Sequence, residues 1–320
     1  MIYKTPIQID NGMWSIMKIA FVGKGGSGKT TISALYTKKM MSMNKSMMVY
    51  DADTNMHLKL LLGIKHPKEK ILSLENNAEK IRHYLKGDNP KIKTHNHFVK
   101  TTPPGEGSNI IKLNQDNLLT GTLSTKIGQK QYFMEIGTYE KEGIGTSCYH
   151  TSLSILENIL THTIEEEDEW IIADMVAGTD AFSNTLHLVF DIIVFVLEPT
   201  PESMIVYNKY RELSNSAGMQ DKIILVVNKY EDMDKEYLEK NNISPDIIIK
   251  YSPDIRRYSQ DISFGLPEDA MSQMSIIYDK AKGRMQDRNM MLKKLHELHK
   301  KYSNQDYIIK TIGDITGQID

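Results

Sequence analysis

The chain has 320 residues, of which 40% are apolar and 25% charged, enough for one large α/β domain or two small ones. Its 39 basic residues nearly balance its 41 acidic ones, which excludes an overall field that attracts nucleic acid or anionic membranes. The single cysteine excludes an intrachain disulfide, and the lack of a signal peptide or an apolar run of about 18 residues predicts a cytoplasmic protein.

Residues 1–16 show no clear periodicity, and we assign them to an N-terminal extension. The next two residues, Met17 and Lys18, open the first predicted strand. Two alternatives follow for the extension. Either Met17 is the natural start, or a small ordered segment packs Ile7 and Trp14 on the domain.

A glycine-rich loop follows the apolar run from Ile19 to Val22, which predicts a buried strand. A helix is predicted from Thr30 to Met41, so the glycines fall at a strand-to-helix turn. Glycine lets backbone N–H groups converge on one point, and the positive end of the helix adds to the attraction for phosphate. The loop matches the pattern G-x-x-x-x-G-K-[ST] with Gly23, Lys24, Gly25, Gly26, Ser27, Gly28, Lys29 and Thr30.

Three side chains of this phosphate loop are candidates for nucleotide chemistry. Lys29 is expected to reach the terminal phosphates as a point charge, and the Thr30 hydroxyl to ligate a Mg²⁺ that bridges two phosphates. Thr31 is a weaker candidate for a phosphate contact. The alternative is a glycine turn that only joins strand to helix, and the full match in the expected context favours nucleotide binding.

Lys24 occupies the second position of the loop, where an ordinary phosphate loop needs no charge. This position resembles the signature lysine of the deviant Walker A family, which includes MinD, ParA, the nitrogenase iron protein and CooC. The resemblance implies ATP hydrolysis in a nucleotide-sandwiched homodimer, in which Lys24 acts across the interface on the partner's phosphates, as an arginine finger does. The alternative is a solvated surface lysine.

Two carboxylates follow the predicted strand from Ser46 to Tyr50. Asp51 and Asp53 lie at its carboxyl end, where ligands bind in open α/β sheets. The segment resembles the family's D-x-D-P-N pattern, with Thr54 in place of proline. The resemblance implies that Asp51 holds a Mg²⁺-bound water and that Asp53 orients the attacking water. Alternatively, both acids cap the turn together with Asn55.

The middle of the chain is less regular. We predict a helix from Leu74 to Tyr84, a short strand from His97 to Thr101, and a further strand from Tyr132 to Ile136. A later helix is indicated by apolar residues that share one face. These are Leu153, Leu156 and Ile159.

The start of that helix carries the segment Ser147-Cys148-Tyr149-His150, which resembles the G-C-Y-C metal-binding segment of CooC. The resemblance implies an interface site in which Cys148 and His150 of two subunits bind Ni²⁺ or Zn²⁺. This sequence departs from the family by replacing the second cysteine with histidine. The alternative is that Cys148 is a small buried hydrophobe and His150 a residue at the helix start.

A buried strand from Trp170 to Asp174 ends in an acid, and Asp174 to Gly178 resembles the family's D-x-x-A-G switch. The resemblance implies that Asp174 contacts Mg²⁺ through water and that the Gly178 N–H senses the γ-phosphate. Thr179, Asp180 and Ala181 depart from the E-H-L continuation of CooC.

Two more apolar strands, from Asp191 to Leu197 and from Ile223 to Val227, complete the predicted sheet. The residue after the second strand, Asn228, resembles the family's adenine reader. GTP is the alternative, because Asn228 to Glu231 differs by one methylene from the guanine motif N-K-x-D. The backbone at Pro253 resembles the segment that flanks the base in the family.

The last predicted helix runs from Pro267 to Tyr302, and its apolar stripe is expected to pack on the protein's own sheet rather than on a membrane. His296 and His299 lack the spacing of a zinc motif and are predicted to lie on the surface. We assign residues 303–320 to a C-terminal tail.

These patterns predict an α/β fold with one doubly wound, mainly parallel sheet and helices on both faces, forming a phosphate-loop ATPase domain over residues 17–302. The expected cofactors are ATP and Mg²⁺, with Lys24, Lys29 and Asp53 as the catalytic residues. The resemblance to CooC implies a dimeric switch that assists metal delivery or maturation of a client enzyme. The alternative is a positioning switch like ParA or MinD, but there is no clear nucleic-acid or membrane signal.

Overall fold

The computed structural model describes residues 16–113, 116–138, 149–164, 168–179, 182 and 185–319. Within these ranges eight strands form one sheet in the order β3-β4-β2-β5-β1-β6-β7-β8. All neighbouring pairs are parallel except β3 with β4. The strands are β1 (Ile16–Gly23), β2 (Ser46–Ala52), β3 (Thr125–Lys126), β4 (Gln131–Glu135), β5 (Glu169–Met175), β6 (Ile192–Leu197), β7 (Ile223–Tyr230) and β8 (Ile247–Lys250).

Helices cover both faces of the sheet, because successive residues of a strand point to opposite sides. Along β1, Ala20 and Val22 pack in one buried cluster, whereas Ile19 and Phe21 pack in the other. This confirms the predicted doubly wound sheet. The helices are α1 (Lys29–Ser42), α2 (Leu58–Leu62), α3 (Glu75–Lys86), α4 (Tyr149–Thr161), α5 (Leu186–Val189), α6 (Pro201–Ser216), α7 (Asp234–Lys240), α8 (Pro253–Gln260), α9 (Glu268–Ala281), α10 (Arg288–Ser303) and α11 (Asp306–Thr311).

The strand predicted from His97 to Thr101 is wrong. A 3₁₀ turn spans His95–His97, and the following backbone closes a second turn. In that turn the Thr102 N–H donates to the Val99 carbonyl at 3.0 Å, and the Val99 N–H donates to the Thr102 hydroxyl at 2.9 Å. The threonine thus satisfies backbone groups that a strand would pair with a neighbour.

The single helix predicted from Pro267 to Tyr302 is two helices, α9 and α10, separated by residues 282–287. Gly283 in this break has φ +81°, which cannot continue a right-handed helix. Asp287 then caps α10 by accepting hydrogen bonds from the N–H groups of Asn289 and Met290.

His299 is not a surface residue, which corrects the prediction. Its side chain is completely buried, and its Nδ1 is 2.9 Å from the Thr101 hydroxyl. Burial lowers the pKa of His299 to about 4, so the ring is neutral at physiological pH. The helix therefore presents His299 to the body of the domain, together with its apolar stripe.

The residues after 302 pack on the domain. Ile308 and Ile315 form a small buried cluster with Val99. Gln318 donates to the His97 carbonyl at 2.8 Å, and its Oε1 accepts from the Thr102 hydroxyl at 3.1 Å. The boundary predicted at residue 302 therefore does not coincide with a break in packing.

Candidate functional site

The candidate site lies at the carboxyl ends of the central strands. Phe21 of β1 is paired in register with Asp174 of β5, and Asp174 is paired with Asp51 of β2. The phosphate loop begins two residues after Phe21. Parallel strands thus bring the loop and both strand-end acids to one edge of the sheet, which is where ligands bind in this architecture.

The phosphate loop approaches the carboxyl ends of β6 and β7 too closely for larger residues. A Cβ on Gly23 would collide with the Val196 carbonyl oxygen, and one on Gly28 would collide with the Asn228 amide nitrogen. Gly28 has φ +91° and starts α1 without a side-chain cap. The first N–H groups of α1 therefore have no side-chain acceptor from the cap residue, as an anion site at a helix start requires.

Lys29 is buried between two of the predicted site acids. Its ammonium donates to Asp53 Oδ2 at 2.8 Å, to Asp174 Oδ1 at 3.0 Å and to the Thr30 hydroxyl at 3.3 Å. Burial disfavours the ammonium form, but Asp174 and Asp53 outweigh this and raise the pKa of Lys29 above its ordinary value. The structure therefore brings four predicted site residues into one hydrogen-bonded group.

Asp53 takes part both in this group and in a local turn. Its Oδ1 accepts the N–H and the side-chain amide of Asn55, both at 2.9 Å. Burial opposes ionisation, yet Lys29 and Asn55 together lower the pKa of Asp53 below its ordinary value. The carboxylate is thus charged and held in place, as a residue that orients water must be. The capping contact weighed as its alternative is present as well.

Asp51 uses both carboxylate oxygens on the backbone. They accept the N–H groups of Asp53 at 3.2 Å and Leu58 at 2.9 Å, so Asp51 shapes the loop that carries Asp53. Burial, with the Asp174 charge second, raises the pKa of Asp51 well above its ordinary value.

Glu135 is a buried acid that the sequence analysis missed. It ends β4 in register with Asp51, its side chain is completely buried, and its Oε1 lies 2.8 Å from the Lys59 ammonium. Lys59 belongs to α2, which follows the Asp53 loop, so this ion pair ties that loop to β4. Glu135 could have been predicted from its position near the end of a predicted strand, the same feature by which Asp51 and Asp174 were predicted.

The oxygen atoms beside Lys29 suit Mg²⁺. Asp174 is completely buried, and its Oδ2 has no hydrogen-bond partner within the described residues. Burial raises the pKa of Asp174, against the opposing charge of Lys29 and the nearby Thr30 hydroxyl. A carboxylate oxygen and a hydroxyl are hard ligands of the kind Mg²⁺ prefers, and a divalent ion would satisfy the buried oxygen.

Lys24 differs from Lys29 in both its burial and its contacts. Its side chain is half-exposed, and in the part of the chain that the structure covers its ammonium has no hydrogen-bond or ion-pair partner. Its carbonyl accepts the Ser27 N–H at 3.1 Å, which closes a turn at the tip of the loop. The turn holds the Lys24 backbone and leaves its charge available.

The predicted base-binding residues lie around the same edge. The Asn228 amide donates to the Ser27 carbonyl at 2.8 Å, and Pro253 is the first residue of α8. The Gly178 N–H donates to the Gly23 carbonyl at 3.1 Å, which joins the predicted switch to the phosphate loop. Asn228 and Gly178 therefore contact the loop directly.

The predicted transition-metal site cannot be located in the same way. Cys148 lies outside the described residues, and for His150 only the helical backbone of α4 is described. Among the residues whose placement is given, no group of three or more His, Cys, Asp or Glu side chains is arranged to hold a metal ion. No helix in the same part of the chain has the length and apolar character needed to cross a membrane.

The parallel sheet, the glycine loop at the start of α1 and the buried Lys29 beside strand-end carboxylates define a P-loop nucleotide-binding protein. The sequence matches the CobQ/CobB/MinD/ParA nucleotide binding domain family over residues 19–316. The chain belongs to this family, which confirms the predicted resemblance to MinD and ParA.

Curated relatives support the same assignment. An uncharacterised ATP-binding protein of Methanocaldococcus jannaschii is 32% identical over 225 residues, covering 70% of this chain and 79% of the relative. The carbon monoxide dehydrogenase accessory protein CooC of Rhodospirillum rubrum is 25% identical over 204 residues, covering 64% of this chain and 71% of that protein. CooC is thus a relative of the chain.

Solved structures show the same fold. MinD of Pyrococcus horikoshii, complexed with Mg-ADP, superposes with a TM-score of 0.54 at 16% identity, over 84% of this chain and 97% of that one. A ParA family ATPase of Chlorobium tepidum gives a TM-score of 0.51 at 13% identity, over 87% and 98%. At these identities the similarity extends to the fold alone.

Proposed function

We propose that the protein is an ATP-hydrolysing switch that closes as a homodimer on nucleotide and, like CooC, assists metal delivery to a client enzyme or its maturation. Family membership and the ATP-binding relative support ATP as the nucleotide. Glu231 in place of the aspartate of the guanine motif also favours ATP over GTP. The 25% identity to CooC supports the client role.

The observation that carries this proposal is the contrast between the two loop lysines. Lys29 is buried and bonded to Asp53 and Asp174, so it serves its own subunit's site. Lys24 lies in the same loop, half-exposed and without a partner among the residues described. The backbone turn holds Lys24 beside the phosphate site, but its ammonium is not engaged there. The ammonium is therefore available to neutralise negative charge on a nucleotide that a second subunit brings when the dimer forms.

In the proposed cycle each residue has one task. Lys29 neutralises the terminal phosphates, and Asp53 orients the attacking water. The partner subunit's Lys24 stabilises negative charge on the transferring phosphoryl group. Mg²⁺ supplies further charge neutralisation when bound, and Thr30, Asp174 and, through water, Asp51 are the residues that would hold it. Release of the γ-phosphate frees the Gly178 segment to move.

An interface site for Ni²⁺ or Zn²⁺ formed by Cys148 and His150 of both subunits is the metal-handling part of this proposal. Its support is the resemblance of the Ser147 to His150 segment to CooC and the donor set of two thiolates and two imidazoles.

Separate substitutions of the two lysines test the function. We expect Lys29→Ala to abolish ATP binding, because it removes the charge that faces the terminal phosphates. Lys24→Ala should bind ATP normally but lose turnover, by about 1,000-fold or more if it acts as arginine fingers do. Equal hydrolysis by wild type and Lys24→Ala would refute the trans-acting role.

A positioning switch like ParA or MinD has less support from the structure. In the apolar stripe of α10, Met291 and Leu295 are buried against the protein, so these two side chains are not available to a membrane. Pelleting with anionic liposomes or DNA in the presence of ATP discriminates the two functions. Nucleotide-dependent pelleting would favour the positioning switch.

A further inference from the structure

An irregularity in β7 lies directly beside the phosphate loop. Val227 pairs with Ile248 and Tyr230 pairs with Lys250, so two residues of β7 oppose one residue of β8. This is a β-bulge, in which Asn228 and Lys229 of β7 lie opposite the single residue Ile249 of β8. Bulges change the direction of side chains and occur often near active sites.

Lys229 has a backbone conformation that lysine rarely adopts. Its φ is +56°, in the left-handed region that favours glycine. In a regular strand Asn228 and Lys229 would point to opposite faces of the sheet. Because the bulge breaks this alternation, both side chains reach the phosphate loop. A strained residue kept beside a ligand loop points to a function for its side chain.

The two side chains hold consecutive carbonyl groups of the loop. The Asn228 amide donates to the Ser27 carbonyl at 2.8 Å, and the Lys229 ammonium donates to the Gly26 carbonyl at 2.7 Å. Lys229 also donates to Glu198 Oε1 at 3.1 Å, so its charge is balanced at the end of β6. These contacts join residues about two hundred positions apart in sequence.

Because the peptide bond is planar, the Lys229 contact with the Gly26 carbonyl also sets the direction of the Ser27 N–H. In a trans peptide the carbonyl of one residue and the N–H of the next point in opposite directions. When Lys229 holds the Gly26 carbonyl, the Ser27 N–H is directed to the other side, where it donates to the Lys24 carbonyl at 3.1 Å. Lys229 therefore stabilises the turn that fixes the Lys24 backbone.

We propose that Lys229 is a positioning residue for nucleotide binding, which orders the phosphate loop before the nucleotide arrives by holding the Gly26 carbonyl. Ordering a loop in advance lowers the entropy cost of binding, so the contact strengthens affinity without touching the ligand. Glu198 has a smaller part, because the Lys229 and Glu198 side chains are 39% and 25% exposed and ion pairs at such positions are weak. The inference rests on the nucleotide binding of the proposed function.

Affinity and stability separate this role from a structural one. We expect Lys229→Gly and Lys229→Met to weaken binding of a fluorescent ATP analogue about tenfold, because each loses a hydrogen bond from a charged donor. Lys229→Arg, which keeps a donor, should stay within about threefold of wild type. Lys229→Gly should unfold within about 4 °C of wild type, since relief of the left-handed backbone strain offsets part of the lost contact. The matched control is Lys250→Met, which removes an exposed lysine of β8 paired with Asp232, and its affinity should be unchanged.

Unchanged affinity in Lys229→Gly would overturn the proposal, as would weakening that appears equally in Lys250→Met. If Lys229→Met does not fold, Lys229→Gly still gives the answer, because it removes strain and donor together. If the proposed function is wrong, the measurements that fail are ATP hydrolysis and dimerisation, not the affinity comparison. Wild type would then bind the analogue but neither hydrolyse ATP nor dimerise, and the affinity ratio between wild type and Lys229→Gly would still be measurable.

Discussion

Glu157 of α4 gives a quantitative test of the structure. The side chain is completely buried, and its Oε1 accepts hydrogen bonds from both the N–H and the hydroxyl of Thr185, the latter at 2.6 Å. Thr185 immediately precedes α5, which follows the predicted switch from Asp174 to Gly178 in the chain. Burial raises the pKa of Glu157 to about 7, although the two Thr185 bonds oppose the shift.

The raised pKa fixes the sign and size of a pH effect on stability. The folded protein holds the Glu157 proton more tightly than the unfolded chain, whose carboxyl has an ordinary pKa of 4.5. The stabilising contribution of this proton is complete below pH 4.5 and is lost as the pH rises through 7. At about 1.4 kcal/mol per pKa unit, the loss between pH 5 and pH 8 is about 2 to 3 kcal/mol.

Glu157→Gln removes the charge but keeps an oxygen that accepts both Thr185 hydrogen bonds. We expect its unfolding free energy, relative to wild type, to rise by about 2 to 3 kcal/mol between pH 5 and pH 8. Urea unfolding at the two pH values measures this difference, in which constant effects of the substitution cancel. Glu212→Gln, at an exposed position of α6, is the control and should show no such change. A stability difference between Glu157→Gln and wild type that does not vary with pH would refute the raised pKa of the buried Glu157 carboxyl.

Two further predictions concern the site. Asp53→Ala should still bind ATP but hydrolyse it slowly, so size-exclusion chromatography with ATP should show a persistent dimer, and a monomeric profile would count against the role of Asp53. Wild type loaded with Ni²⁺ or Zn²⁺ should retain more metal than Cys148→Ala after desalting, and equal retention would exclude a metal-binding role for this thiol.

The sequence was sufficient for features that depend on local pattern. Continuous apolar runs identified β1, β2, β5, β6 and β7, because buried parallel strands need no polar alternation. The phosphate loop and the acids Asp51 and Asp174 followed from their places at strand ends.

Long-range contacts account for most of what could not be predicted. The buried His299 contacts Thr101, which is 198 positions away in the sequence. Lys229 contacts Gly26, which is 203 positions away. Neither partner is visible in a local window. The left-handed backbone of Lys229 could not be predicted either, because residues other than glycine rarely adopt a positive φ. The loop at Val99 was missed because its hydrogen bonds come from the Thr102 side chain and not from a neighbouring strand.

Nucleotide-dependent association is the most direct test of the central claim that Lys24 acts on a neighbouring subunit. Small-angle scattering of wild type with Mg²⁺ and a non-hydrolysable ATP analogue should show a dimer, whereas Lys29→Ala should remain monomeric under the same conditions. Wild type that binds the analogue yet stays monomeric across the concentration range would contradict the account, because the Lys24 ammonium would then have no phosphate to reach.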